Sequence, residues 1–396
     1  MTAAAPSMSA ESIVRLQWLL GTACAALIAN LYYAQPLTGL IGGAIGIPPQ
    51  SVGLLVTLPL AGYGAGMLML VPLADLFENR RLVLALVAGE AVCVLLLALL
   101  SRPELFLGAA FATGVLASAV QVLVPYVTYV TPEAMRGQAV GKVVSGVMLG
   151  IMLARPLSSF VSDMWSWRAI FWISAGLLTV LFAALWLALP NRQPAADVRY
   201  GNLLISMGRI FATTPILRRR AFYHALMFGA FSVFWTAVPL WLTGPQFNLS
   251  QRGVALVALA GVAGAVAPPL AGRMADNGFT RSGTIAAMLL AAGAVLATLL
   301  VRGGSLADVV VVALCAIVLD FAVSANLVFG QRAIYALAPD QRSRVNSLFM
   351  TTFFVGGAIA SALSGWMYFR FGWPGIVALG GALPLFGLLY LSTERQ

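Results

Sequence analysis

Apolar runs of about 20 residues, the length of a helix that crosses a bilayer, recur along the whole chain and constrain its fold more than any other feature. Hydrophobic residues make up 61% of the sequence and charged residues only 9%, against about 25% charged in soluble domains. The sequence therefore predicts an all-α membrane protein with twelve transmembrane helices. We number these spans 1 to 12; they lie at residues 16–40, 52–74, 82–100, 105–130, 140–162, 169–189, 221–243, 254–274, 283–301, 307–335, 345–368 and 375–392.

The charged residues lie mainly between the apolar runs, and this decides how the net charge of +10 is interpreted. In a soluble protein such an excess would suggest a nucleic-acid partner. Here the alternate connections carry 17 and 5 basic residues, with Arg155 inside a run. Positive residues favour the cytoplasmic side, so both termini and the central linker are expected there. The surrounding partner is then the lipid bilayer, and no nucleic acid is expected.

The longest polar interval divides the chain into two sets of six spans. We expect an N-terminal six-helix bundle at residues 1–189, a cytoplasmic linker at 190–220 and a C-terminal six-helix bundle at 221–396. Equivalent residues recur in the two halves at offsets of 201 to 207, which indicates a duplication. The pairs are Asp75 and Asp276, Pro36 and Pro239, Pro132 and Pro339, and Trp167 and Trp373.

Three sequence motifs carry a resemblance to a known family. The loop Leu73-Ala-Asp-Leu-Phe-Glu-Asn-Arg-Arg81 and its second copy Met274-Ala-Asp-Asn-Gly-Phe-Thr-Arg281 resemble the signature loop of the major facilitator superfamily. Span 5 resembles the glycine-rich motif of the antiporter branch, although span 4 lacks the arginine usual there. The segment Asn30-Leu-Tyr-Tyr-Ala-Gln-Pro-Leu37 resembles the first helix of bacterial sugar, nucleoside and drug efflux permeases.

The resemblance implies two pseudo-symmetric bundles around a central cavity in the bacterial inner membrane. It also implies transport by alternating access. We expect a protein that functions as a monomer, with a small-molecule substrate and protons as partners. Glycines of spans 2, 5 and 8 are interpreted as close helix contacts, with sliding between the halves as the second interpretation. They are Gly62, Gly66, Gly146, Gly150, Gly261 and Gly264.

The two signature loops predict a gate between helices. Asp75 follows a helix end and precedes Arg80 and Arg81, with which a carboxylate can form charge-assisted bonds. Asp276 and Arg281 repeat the arrangement in the second half. We interpret these residues as a gating latch; the alternative is a solvated turn.

Charged residues inside the spans predict the site of proton coupling, because a charge at mid-membrane is costly. Asp320 lies twelve residues from both Asp308 and Arg332 and shares a helix face with Ser324 and Gln331. We interpret it as a proton or substrate site, the alternative being a buried structural hydrogen bond. Ser324 and Gln331 are candidate substrate-binding residues. Glu90, in span 3, is the second candidate.

Arg155 lies about 20 Å along span 5 from Lys142. One interpretation is that its side chain snorkels to the membrane surface. The other is a cavity role, in which Arg155 binds an anionic or strongly polar substrate group or pairs with an acidic residue such as Asp320.

Polar and aromatic side chains on the spans expected to line a cavity predict a substrate surface. Such a surface suits a small, partly apolar organic molecule. The candidate residues in spans 1, 4 and 7 are Asn30, Tyr33, Gln121, Tyr129, Trp235 and Thr236. His224, the only histidine, is expected at the membrane interface at the start of span 7, the alternative being a proton-relay role.

Enzymatic chemistry has no motif in this sequence. It contains no HExxH, no GxSxG and no phosphate-binding Gly-rich loop, so we expect no catalytic residue, no cofactor and no metal site. We predict a secondary transporter, with proton-coupled export first and import by symport second. A membrane sensor with the same fold is the third possibility.

Overall fold

The computed structural model describes residues 9–194, 199–335 and 342–394, and Pro339 lies outside them. These residues form helices and connecting turns, without a strand. Eight α-helices make up the first half. They are α1 Ala10–Ala29, α2 Thr38–Ile45, α3 Leu54–Met69, α4 Asn79–Leu99, α5 Pro103–Ala117, α6 Ala119–Val130, α7 Arg136–Met164 and α8 Ala169–Ala188.

The second half follows a linker that contains a helix of its own. Its helices are α9 Tyr200–Thr213 in the linker, α10 Pro215–Thr243, α11 Gln251–Gly261, α12 Ala267–Asp276, α13 Thr280–Ala297, α14 Leu306–Tyr335 and α15 Arg342–Ser392. We call the end of the bundle that carries α9 the linker side, and the opposite end the far side.

Eleven stretches of the described residues are long and apolar enough to cross a membrane. The last of them, α15, turns at Gly372, where φ is 64° and ψ is −158°, and therefore contains two helices. Glycine tolerates this left-handed backbone because it has no Cβ. With that break counted, the apolar segments correspond to the twelve predicted spans.

Three predicted spans are broken in the structure. Span 1 divides into α1 and α2, with a 3-10 turn at Gln35–Leu37 between them. Span 4 divides into α5 and α6 at Ser118, whose hydroxyl donates to the Val115 carbonyl at 2.7 Å. Span 8 divides into α11 and α12 around a 3-10 turn at Val262–Val266. Pro268 lacks the N–H that would continue an α-helix through this turn. Periodicity alone does not reveal these breaks.

Helices approach each other closely where glycines face neighbouring backbone. A Cβ on Gly146 would clash with the Gly21 carbonyl of α1, and one on Gly62 with the Phe111 carbonyl of α5. The interpretation of these two glycines as close helix contacts is confirmed.

The two halves contact each other through α3 with α15 and through α7 with α11. The Thr57 and Ser361 hydroxyls lie 3.0 Å apart, and Ser347 donates to the Met67 carbonyl at 3.1 Å.

Candidate functional site

An ion pair between Arg155 and Asp320 joins the two halves inside the bundle. Arg155 Nη2 lies 3.6 Å from Asp320 Oδ2, and their side chains are only 3% and 5% exposed. Trp235 Nε1 donates to the other oxygen, Oδ1, at 2.8 Å. Both carboxylate oxygens of Asp320 therefore face a donor.

Aromatic rings hold the Arg155 side chain in place. The guanidinium carbon lies 4.1 Å from the ring centroid of Trp235 and 4.9 Å from that of Phe231. Such cation–π contacts are strongest where water is absent. Because Arg155 is buried in this arrangement, it does not snorkel to the membrane surface.

Two glycines, one at the end of α11 and one within the 3-10 turn that follows, leave room for Asp320. A Cβ on Gly261 would lie 2.8 Å from Asp320 Oδ2 and 3.1 Å from Trp235 Cζ2. A Cβ on Gly264 would lie 2.9 Å from Asp320 Cβ. The close approach predicted for these glycines is therefore confirmed, and it is made directly to the ion pair.

A cavity of about 80 Å³ adjoins the pair. Its walls are mainly aromatic and aliphatic, and Ser324 contributes a hydroxyl. The other lining residues are Tyr32, Met148, Ile151, Met152, Arg155, His224, Phe228, Phe231, Asp320, Val323, Leu327 and Phe353. The three helices that supply most of them, α7, α10 and α14, belong to both halves.

His224 is buried, which corrects its predicted place at the membrane interface. Its side chain is 0% exposed and stacks between Phe349 and Phe353, with ring centroids at 5.5 and 4.6 Å. The prediction was wrong because α10 begins at Pro215, earlier than the apolar run, so that His224 lies in the third turn of a helix that is buried along most of its length. Asn326 Nδ2 lies 3.1 Å from His224 Nδ1.

Asn30 and Glu90 form a separate buried cluster within the first half. Asn30 Nδ2 donates to Glu90 Oε1 at 2.9 Å, and Ser174 donates to Asn30 Oδ1 at 2.7 Å. Glu90 Oε2 has no hydrogen-bond partner among the described residues. Among the described residues, Asn30 and Glu90 do not line the central cavity. The buried Tyr33 does not line it either, whereas its neighbour Tyr32 does.

Several other predicted substrate residues lie away from the cavity. Gln121 donates to the Tyr63 hydroxyl at 3.0 Å and lines a cleft of about 240 Å³ on the linker side. Tyr129 packs under the guanidinium of Arg192 at 5.2 Å. Gln331 donates to Asn346 Oδ1 at 3.4 Å. The structure therefore brings together Arg155, Trp235, Asp320 and Ser324 from the predicted set.

Thr236, the remaining predicted substrate residue, is buried next to Trp235 in α10. Its hydroxyl has no partner among the described residues.

The first signature loop does not form the bonds predicted for Asp75. Arg80 donates to Asn191 Oδ1 at 3.0 Å and to the Trp186 carbonyl at 2.5 Å, while Arg81 lies 3.8 Å from Glu78. Asp75 instead lines the linker-side cleft, without an ion pair among the described residues. The reason is that α4 begins at Asn79, and its first turn directs both arginines away from Asp75.

Glu78 is the acidic residue of this loop that sequence reasoning missed. Its carboxylate caps α4 by accepting from the backbone N–H groups of Arg80 and Arg81, each at 2.9 Å, and from Arg192 at 3.2 Å. An acidic residue just before a helix start is a capping signal. Recognising Asn79 as that start would have revealed it.

The second loop also uses different partners. Asp276 forms an exposed ion pair with Arg332 of α14. Arg281 donates to the Glu394 carbonyl at 3.3 Å, and Arg220 Nη2 lies 3.3 Å from Glu394 Oε1. Both loops thus bind neighbouring helices on the linker side.

The sequence of the chain matches a known protein family. The sequence model described as Major Facilitator Superfamily matches residues 18–317 and 221–396. The chain belongs to the Major Facilitator Superfamily. Proteins of this superfamily transport small molecules across membranes and are not enzymes. The protein is therefore a multi-pass membrane transporter with the all-α fold of the superfamily.

The chain is also similar to individual transporters. An uncharacterized transporter, YgaY of Escherichia coli O157:H7, is 34% identical over 371 residues, which cover 94% of this chain and 93% of that protein. A probable sugar efflux transporter of Helicobacter pylori is 26% identical, covering 86% of this chain and 85% of that protein. A crystal structure of a bacterial homologue of the human lysosomal transporter Spinster matches with a TM-score of 0.76 at 14% identity. It covers 97% of this chain and 96% of that chain, a likeness of fold alone.

Proposed function

We propose that this protein is a proton-coupled exporter of a small organic molecule that works by alternating access, with Asp320 as the proton site. The observation that supports the proposal is the buried ion pair between Arg155 and Asp320. A pair that has lost its water is stable only while both charges are present, because one charge alone is left uncompensated. Protonation of Asp320 would therefore change the contact between the halves.

The surroundings of Asp320 make it a switch that one proton can operate. Arg155 faces the carboxylate from α7 and Trp235 faces it from α10, while Gly261 and Gly264 pack against Asp320 from the end of α11 and the turn that follows. His224 and Tyr32 are the other titratable residues that line the same cavity. Arg155 keeps its charge in every step. A proton on Asp320 thus removes the attraction between α7 and α14.

The loss of attraction between Arg155 and Asp320 changes the contact between the two halves, which alternating access requires to move relative to each other. Arg155 belongs to the first half and Asp320 to the second, so the pair favours one relative placement of the two bundles. A proton that weakens the pair shifts the population toward another placement of the bundles. The size of the shift is set by the difference in the proton affinity of Asp320 between the two placements. Coupling then follows if the two placements open the cavity to opposite sides of the membrane.

Export is proposed because the first helix resembles those of bacterial efflux permeases, and because a relative carries the name of a sugar efflux transporter. We further propose cytoplasmic termini in the inner membrane, a functional monomer, and gating by the loops around Asp75 and Asp276. In our proposal the residues that contact substrate are those at the cavity, and Gln121 and Tyr129 line the path that leads to it from the linker side.

Proton flux in liposomes tests the proposal. The purified protein is reconstituted with a pH-sensitive dye in the lumen, and sugars, nucleosides and amphipathic drugs are added outside one at a time. A substrate of an antiporter enters in exchange for protons, so the lumen becomes more alkaline whichever way the protein is inserted. Acidification of the lumen would indicate symport. No proton movement with any transported compound would overturn proton coupling.

A further inference from the structure

The polar atoms left without partners around the central cavity are nearly all hydrogen-bond donors. Arg155 Nε and Nη1 and His224 Nε2 are buried and have no partner among the described residues. Asp320, by contrast, has a donor near each oxygen. Ser324 adds a hydroxyl that can either donate or accept.

The hydrogen bond with Asn326 determines which atom of His224 donates. An amide nitrogen donates and does not accept, so Asn326 Nδ2 at 3.1 Å makes His224 Nδ1 an acceptor. The neutral ring then carries its proton on Nε2. The parallel rings of Phe349 and Phe353 fix the plane in which this N–H lies.

The charges of the cavity are already balanced. One cation, Arg155, faces one anion, Asp320, and both are almost fully buried. An anionic ligand would leave one uncompensated negative charge, and a cationic ligand one positive charge, at a site where either is costly. The bound group must therefore be uncharged, although it must accept hydrogen bonds.

The walls define the rest of the ligand. Tyr32, Phe228, Phe231 and Phe353 supply aromatic surface, and Met148 and Met152 supply flexible thioether side chains. Aromatic rings stack well on flat bodies, and methionines adapt to their edges.

We infer that the cavity binds an uncharged molecule with a flat apolar body and a carbonyl-type oxygen, which accepts hydrogen bonds from Arg155 and from His224 Nε2. The inference rests on the proposed transport function, since it names the substrate class of the same site. It also makes His224 a specificity-determining residue of the cavity.

Four probes with one phenyl ring separate the possible ligand chemistries. Benzamide carries a neutral carbonyl, benzoate an anion, benzylamine a cation, and toluene no polar group. Their affinities for the protein in lipid nanodiscs are measured at pH 7 by saturation-transfer NMR, with empty nanodiscs as the blank. We expect benzamide to bind at least about tenfold more tightly than each of the others, the effect of about one hydrogen bond.

Two variants test the named donors. His224→Phe keeps an aromatic ring in the stack but removes the N–H, and Arg155→Lys keeps the charge but removes the planar donor group. Each should weaken benzamide binding about tenfold and leave toluene binding unchanged. Arg168→Lys is the matched control, because Arg168 also packs on an aromatic ring, Trp167 at 4.2 Å, but does not line the cavity. It should bind benzamide as the unmodified protein does.

Every other result overturns the inference. If benzoate or benzylamine bound most tightly, the site would select a charge. If toluene bound as tightly as benzamide, the site would select apolar surface alone. Binding of no probe above the blank, or unchanged selectivity in both variants, would also reject it. Coupled transport of a different compound would then leave the proposed function intact. Conversely, benzamide binding without proton flux for any transported compound would reject only the proposed function.

Discussion

Arg155, twenty residues along α7, and Asp320, midway along α14, form the ion pair through which the two halves of the transporter meet at the central cavity. Trp235 binds both partners, since its N–H donates to Asp320 and its ring packs under Arg155. A change in the charge of Asp320 therefore acts on two helices of the second half and on one of the first.

Replacing Asp320 should separate substrate exchange from proton coupling. Asp320→Asn keeps a side chain of similar size but cannot take up a proton. We expect it to abolish uphill transport driven by a pH gradient and to leave exchange of labelled for unlabelled substrate at least partly active. The measurement compares the two assays in the same liposomes. Normal uphill transport by this variant would remove Asp320 from the coupling mechanism.

Removal of Arg155 should destabilise the protein more than removal of both partners. Arg155→Gln leaves a buried carboxylate without its cation, at a cost of about 3 to 5 kcal/mol. In the double variant with Asp320→Asn neither charge remains, so part of the lost stability should be regained. Thermal unfolding in detergent measures both effects. An equally unstable double variant would show that the pair is not the source of the loss.

The conservative substitution Arg155→Lys should recover only part of the transport that Arg155→Gln loses. Lysine supplies the charge, but not the planar donor group that packs on Trp235. Initial transport rates, normalised to the amount of folded protein, measure this. Full recovery by lysine would show that charge alone matters at this position.

The sequence predicted the helices and the charged centre but not the helix breaks or the partners of the loop residues. Asp320 and Arg155 were identifiable because charge within an apolar run is costly and therefore informative. The place of His224 was missed because the start of α10 lies in a polar stretch that resembles a linker. The bonds of Arg80 and Arg81 depend on where α4 begins, a boundary that periodicity defines poorly. Asn30 was predicted to face substrate, but it donates a hydrogen bond to Glu90 instead. The rotation of a helix about its axis depends on packing that the sequence of one chain does not reveal.

Glu90 provides a contrast to Asp320, because no basic side chain pairs with it among the described residues. Its carboxyl accepts from Asn30 within the first half and does not bridge to the second. We expect Glu90→Gln to keep gradient-driven transport, since glutamine can still accept this bond. Glu90→Leu should lower the free energy of unfolding by about 1 to 3 kcal/mol, because the buried Asn30 amide keeps its bond to the Ala26 carbonyl but loses the acceptor of its other N–H. Loss of coupling in a stable Glu90→Gln protein would instead establish Glu90 as a second proton site.

A single methyl group beside the pair should inhibit transport. In Gly261→Ala the new Cβ would lie 2.8 Å from Asp320 Oδ2 and 3.1 Å from Trp235 Cζ2, both closer than normal contact for such atoms. The carboxylate must shift, and its geometry toward Trp235 and Arg155 is lost. Gly293→Ala in α13 is the matched control, because a Cβ there meets no atom within 4 Å. We expect both proteins to reach the membrane at similar levels, with at least about a tenfold lower transport rate for Gly261→Ala, the effect of losing about one hydrogen bond. Equal rates in the two variants would show that the fit of α11 against Asp320 is dispensable.

The distribution of basic residues predicts the orientation of the protein in the membrane. Of the connections between spans, the set that contains the linker and both termini carries 17 basic residues and the opposite set 5. Many of the former lie on the linker side, where Arg220 and Arg281 bind Glu394 near the end of the chain. Retention of positive residues in the cytoplasm therefore predicts a cytoplasmic linker side. A green fluorescent protein fused after Gln396 should fluoresce, and alkaline phosphatase fused there should be inactive. The same pair of fusions after Gly303, in the short far-side turn before α14, should give the opposite result. Active phosphatase at Gln396 would reverse the topology and place the cleft beside Asp75 on the outside.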